Sequence, residues 1–114
     1  MAKTAKRLYG PAVVATGPVT IYTVPALTKT VLRYIHVQNP SGAAVTLTLS
    51  IGADAAGTRF YSAYSIPAAA AGVVDSVRQI FLYLIMDAAE ILTVSAGTNN
   101  ILTIVINGDE LTLG

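Results

Sequence analysis

The run Val45-Thr46-Leu47-Thr48-Leu49-Ser50-Ile51 sets a large aliphatic side chain at every second position and a hydroxyl residue between each pair. Successive side chains of a strand point to opposite faces, so this segment has one apolar face and one polar face. A half-buried antiparallel strand of a sandwich or barrel requires that pattern. The polar face carries no charge, whereas solvent-facing strands commonly hold Lys or Glu to discourage edge-to-edge pairing. Thr46, Thr48 and Ser50 are accordingly candidates for a contact with another protein surface.

Turn-forming residues punctuate the rest of the chain. They include Gly10-Pro11, Gly17-Pro18, Pro25, Asn39-Pro40-Ser41-Gly42, Pro67, Gly72 and Asn107-Gly108. β-rich runs lie between them, near 20–24, 30–38, 44–51, 59–66, 73–84, 91–96 and 101–107. The expectation is an all-β chain, a single antiparallel β-sandwich of about seven to eight strands, jelly-roll-like or Ig-like. Three connections read as hairpins: Asn39 to Gly42, Gly52 to Gly57, and Gly97 to Asn100. The alanines at 68–71 are bounded by Pro67 and Gly72, too short for a helix, and read as a small-residue crossing at the sandwich edge. The second half of 73–86 is apolar on both faces, which predicts a strand buried on both sides or bent between two sheets. Asp87-Ala88-Ala89-Glu90 reads as a polar turn.

At 114 residues the chain has the length of one domain. Hydrophobic residues make up 54% and charged residues 11%, against about 45–50% and 25% in ordinary soluble domains. Such a chain enters a membrane or buries more surface than a monomer can. A spanning helix needs about 20 apolar residues, and the longest strongly apolar run here, Ile80 to Met86, has seven. Self-association, as a homo-oligomer, is the expectation that remains.

Net charge is +1, too small to suggest nucleic acid or anionic lipid as a partner. Lys3, Lys6 and Arg7 nevertheless fall within the first seven positions, and the remainder carries four basic against six acidic residues. The expectation is a basic N-terminal arm at 1–10, with Tyr9 beside it, ahead of a sandwich domain at 11–114. The arm is either a solvated terminus or a device for docking on an acidic neighbouring subunit. No cysteine is present, which removes disulfide and thiolate chemistry. Leu8-Tyr9-Gly10-Pro11 interrupts the basic start, so nothing resembles a signal peptide, and assembly in a cytoplasm is expected.

Chemistry finds little support in the residues. His36 is the single histidine, and a general base or metal ligand needs partners that are not beside it. Its expected role is a polar-face histidine bonded to a neighbour. Asp54, between Gly52 and Gly57, is one carboxylate where calcium wants six or more oxygens, so it reads as a turn aspartate. Asp87 with Glu90, and Asp109 with Glu110, read as charged turn residues. Tyr61 and Tyr64 are three apart, which predicts opposite faces of a strand and no shared aromatic platform. No catalytic, cofactor or metal site is expected, and the chain does not read as an enzyme.

The progression from Leu8-Tyr9-Gly10-Pro11 through Ile21-Tyr22-Thr23-Val24-Pro25, Leu32 to Asn39, Val45 to Ile51 with Gly52 to Arg59, and Ile101 to Gly108 resembles a family of small all-β virion proteins of tailed bacteriophages. The resemblance spans roughly Leu8 to Gly108 and rests on strand and turn patterns. It implies a β-sandwich subunit that decorates or completes a virion, with a capsid decoration or cement role foremost. A tail, neck or head–tail connection protein, or a carbohydrate-binding adsorption module, is the alternative. The implied partners are other copies of the chain, with a trimer favoured, and virion proteins such as the major capsid protein. The implied location is the virion, assembled in the host cytoplasm.

Overall fold

The structure is a computed structural model and describes residues 2–68 and 77–112. Eight strands build it: β1 (Ala2–Val13), β2 (Val19–Thr23), β3 (Thr28–Gln38), β4 (Val45–Ile51), β5 (Arg59–Ile66), β6 (Val77–Met86), β7 (Ile91–Ala96) and β8 (Thr103–Thr112). They form two four-stranded antiparallel sheets, β1-β8-β3-β6 (sheet A) and β2-β7-β4-β5 (sheet B). Strand 1 pairs with 8, 2 with 7, 3 with 6 and 4 with 5. That nesting is a long hairpin rolled onto itself, the jelly-roll form of the expected sandwich.

The alternation at Val45–Ile51 does what it predicts. Val45, Leu47 and Leu49 are buried between the sheets, and Ile51 packs at the margin. They meet Leu32, Ile35 and Val37 of β3, Ile104 and Ile106 of β8, and Leu92 and Val94 of β7 in one continuous core.

Only one of the three expected hairpins joins paired neighbours. Gly52 to Gly57 links β4 to β5 within sheet B. Asn39 to Gly42 instead carries the chain from sheet A to sheet B, and Gly97 to Asn100 carries it back. Turn residues signal a reversal but not which strand receives the returning chain. Buried Asn39 holds its corner: its side-chain amide donates to the carbonyls of Ala43, Ile66 and Pro67, and its carbonyl accepts from Ser41.

The basic segment 1–10, read from its charge as an arm, lies from Ala2 onward within β1, which pairs with β8 along its length. The strand passes through Gly10-Pro11 as an irregularity in register. Gly10 has φ +88°, and a Cβ there would lie 2.2 Å from the Ile104 carbonyl oxygen, so only glycine fits. The alanines beyond 68 and the first residues of the 73–86 run lie outside the described residues. From Val77 that run is β6, an edge strand paired on one side with β3, and its outer face is open to solvent. It is therefore not a strand buried on both sides in the subunit.

Candidate interaction surface

The seven residues singled out from sequence do not share a surface. Thr46 and Thr48 point outward on sheet B, while Lys3 and Arg7 point outward on sheet A, on the opposite side of the sandwich. Tyr9 packs half-buried against the core.

On sheet B the hydroxyls of Thr48, Ser50 and Thr93 are tied to the protein itself. The Thr48 hydroxyl accepts a hydrogen bond from the Ala63 amide at 3.1 Å, where β5 bulges through a left-handed residue (φ 49°). Ser50 is 1% exposed and donates to Asp54, and buried Thr93 donates to the Gly52 carbonyl at 2.8 Å. Asp54 is clasped by Arg59 through two bonds, of 2.8 and 3.2 Å, which hold its carboxyl below the usual range. The 52–58 loop thus folds back over the end of β4, and Asp54 is a turn-organising carboxylate.

Acidic residues near the chain's end neutralise the basic start. On the outer face of sheet A, Lys3 and Arg33 approach Asp109 at 3.6 and 3.5 Å. On the inner side, Lys6 reaches Glu110 at 3.2 Å. Asp109 and Glu110 are therefore strand residues of β8 with largely covered carboxylates, not turn residues. Glu110 also accepts from the Tyr22 hydroxyl, which shares a 2.8 Å bond with Thr30. Burial first, and the Glu110 carboxylate second, push the Tyr22 phenol up to about 12. This network closes one end of the space between the sheets and ties β2 of sheet B to β1, β3 and β8 of sheet A.

Lys3, Lys6, Arg7, Arg33, Asn107 and Asp109 line a shallow open depression of about 520 Å³. Arg7 forms no ion pair among the described residues. An irregularity in β3 between Leu32 and Tyr34 puts Arg33 and Tyr34 both on this outer face. Next to them β6 presents Phe81, Tyr83 and Ile85, which are 76, 69 and 53% exposed. Arg33 lies over the Tyr83 ring at 5.6 Å, and Tyr34 packs on Phe81 at 5.0 Å with its ring tilted by 44°. His36 occupies the same face, with Nδ1 3.1 Å from the Tyr34 hydroxyl. Large apolar side chains at alternate positions of one edge strand, rimmed by cations, are the most interaction-prone feature of the described surface. Sequence reasoning missed it because a run apolar on both faces reads as buried, although the signal lay in that same run.

Tyr61 and Tyr64 lie together, with ring centroids 5.4 Å apart, contrary to the expectation from their spacing. The β5 bulge at Ala63 inserts a residue and returns Tyr64 to the face of Tyr61. Both rings pack on the core and offer no exposed platform. Among the described residues no group of His, Asp or Glu is placed to hold a metal. Nor does any buried side-chain nitrogen or oxygen lack a partner. No helix among them is long and apolar enough to cross a membrane.

No protein family model matches the sequence, and no curated protein matches it. Among solved structures, the chain is similar to one from Bacillus endospore appendages, which form a family of disulfide-linked pili. The TM-score is 0.52 at 12% identity, over 98% of this chain and 89% of that one. It is also similar to a chain of the cyanophage Pam1 capsid asymmetric unit, with TM-score 0.49 and 13% identity, over 96% and 80% of the two chains. A carbohydrate-binding module, CBM35 from Paenibacillus barcinonensis, aligns at TM-score 0.39 and 12% identity, over 96% and 88%. At 12% identity the likeness to the appendage chain shows a shared fold and nothing further.

Proposed function

We propose that the chain is a structural subunit of a tailed-bacteriophage virion, a decoration or cement-type exterior protein that works by protein–protein assembly. The observation that carries this reading is the outer face of sheet A, where Phe81, Tyr83 and Ile85 stand exposed on edge strand β6 beside Arg33 of β3, with Lys3 and Arg7 on β1 at the opposite edge of the same face. A subunit in free solution gains nothing from that arrangement, since apolar surface left in water forfeits about 25 cal/mol per Å². An assembled subunit covers it. Repetition on a particle multiplies weak contacts, so a modest patch on each subunit is sufficient. Arg7, which forms no ion pair among the described residues, complements an acidic group on the neighbour, in the role first ascribed to a basic arm. The pili of the endospore appendages are disulfide-linked by their description; this chain has no cysteine with which to form such a link.

The carbohydrate-binding alternative would use the same exposed aromatics. Phe81 and Tyr34 are tilted by 44°, which breaks the flat platform that a sugar ring stacks on. The test is co-sedimentation of purified subunit with particles that lack it. Wild type should pellet with particles, and Tyr83→Lys and Arg7→Glu should stay in the supernatant while keeping the wild-type circular dichroism spectrum. Binding unaffected by either change, or a cryo-EM map that places the subunit in the tail, overturns the decoration reading.

A further inference from the structure

The four sheet edges of the sandwich are not equally protected. β1 carries Lys3, Lys6, Arg7 and Pro11. β2 has only five residues and lies between Pro18 and Pro25. β5 is twice displaced in register and passes through left-handed Ala63. Short length, charge, proline and bulges are the devices that stop a sheet edge from pairing with another chain. β6 holds no charge, proline or glycine from Gln79 to Met86, and its one register shift, where Leu82 and Tyr83 lie opposite Arg33, leaves the in-and-out alternation of its side chains intact. Its side chains alternate regularly, with Phe81, Tyr83 and Ile85 outward and Leu82 and Leu84 inward. The inward pair is itself only half-buried, because no strand of the described residues lies beyond it.

We infer that β6 pairs antiparallel with β6 of a second copy about a two-fold axis at Tyr83. The inference rests on the reading of this face as an assembly surface and names its first occupant. Two constraints select the register. Outward residues must oppose outward residues, because a one-residue slip sends every side chain to the wrong face. The three apolar side chains must also meet their counterparts. Placing Tyr83 opposite the second copy's Tyr83 satisfies both: Phe81 then faces Ile85, Leu82 faces Leu84, and Gln79 faces the Asp87 carboxylate. Aromatic and β-branched cross-strand pairs are among the favourable ones. Shifting the axis to Leu82 would instead set Ile85 against Gln79. The product is a continuous eight-stranded sheet, in which the apolar run of β6 gains the lateral cover that its pattern predicts. The contact is isologous and gives dimers, whereas a trimer would need a second, heterologous surface.

The absence of cysteine makes the test direct. Opposed residues of an antiparallel pair have Cα atoms about 4.5–5.5 Å apart, within the roughly 4.4–6.8 Å of disulfides. Tyr83→Cys should form a covalent dimer under mild oxidation roughly tenfold or more faster than Phe81→Cys. Residue 81 sits about 13 Å along the strands from its own counterpart. A mixture of Phe81→Cys and Ile85→Cys proteins should give the mixed dimer, although each alone remains monomeric. This second arm keeps the test valid should Tyr83→Cys fail to fold. Equal rates for Tyr83→Cys and Phe81→Cys, together with no mixed dimer, overturn the inference. If particles still bind the subunit in that case, the assembly reading stands without the β6 pairing. A register-specific dimer that no particle binds would leave the pairing and remove the virion role.

Discussion

On the outer face of sheet B the hydroxyls of Thr48, Ser50 and Thr93 are bonded to the Ala63 amide, the Asp54 carboxylate and the Gly52 carbonyl of the same subunit. On the outer face of sheet A, Phe81, Tyr83 and Ile85 extend into solvent with little among the described residues to cover them. A neutral strand face therefore has two physical meanings. Hydroxyls can replace charges because they serve the protein's own loops, as at β4, or apolar groups can stand exposed because a partner covers them, as at β6. Substitutions separate the two: changes to the outer face of sheet B should act on folding, and changes to the exposed side chains of sheet A's outer face on association.

The largest effect should come from the frame beneath the sheet A face. Gly108 sits in the middle of β8, and a Cβ there would lie 2.2 Å from the Val31 carbonyl oxygen. Gly108→Ala should lose more than about 3 kcal/mol or fail to fold, as read by urea denaturation, because two backbones cannot separate locally. Next, Thr93→Val buries the Gly52 carbonyl without its hydroxyl partner and should lower stability by about 1–2 kcal/mol. Self-association, followed by sedimentation, should be unchanged by it.

Tyr22→Phe cuts the link between the sheets and should lose about 1 kcal/mol at neutral pH. Its pH signature is specific. The phenol titrates at about 12 in the folded protein and near 10 when unfolded, so folding favours the protonated form. That contribution is complete below pH ~10 and disappears as pH rises towards 12. Thermal melts of wild type should fall across this window, and those of Tyr22→Phe should lose that part of the slope. Tyr83→Lys should have the smallest effect on stability, within about 0.5 kcal/mol, and still abolish association. If it unfolds the protein instead, the contrast between the two faces fails.

Much of this was legible in the residues, and the gaps have physical causes. Alternation revealed β4, and the limits of β5 and β7, because one-sided burial writes itself locally. The sheet partner of each strand was not legible, since Asn39 to Gly42 looks the same whether the chain turns within a sheet or crosses between two. β1 passed for an arm because Lys3, Lys6 and Arg7 look solvated until Asp109 and Glu110, a hundred positions away, close on them. The left-handed residue at Ala63 reversed the faces of Tyr61 and Tyr64, and no alternation rule sees a bulge formed by alanine. The surface residues chosen from sequence divided between the two faces. The stripe that stands most exposed came from the segment whose apolar character pointed inward.

Hydrogen exchange, compared between the free subunit and the subunit held in its particle, tests the central claim most directly. Edge amides at 79–86 that point away from β3 lack a sheet partner among the described residues and should exchange quickly in the free protein. Assembly should slow them by roughly tenfold or more, in proportion to the opening that a covered edge requires, while sheet B stays as it was. Unchanged exchange at 79–86, with new protection confined to the 52–58 loop and β5, would contradict the account and move the interface to sheet B.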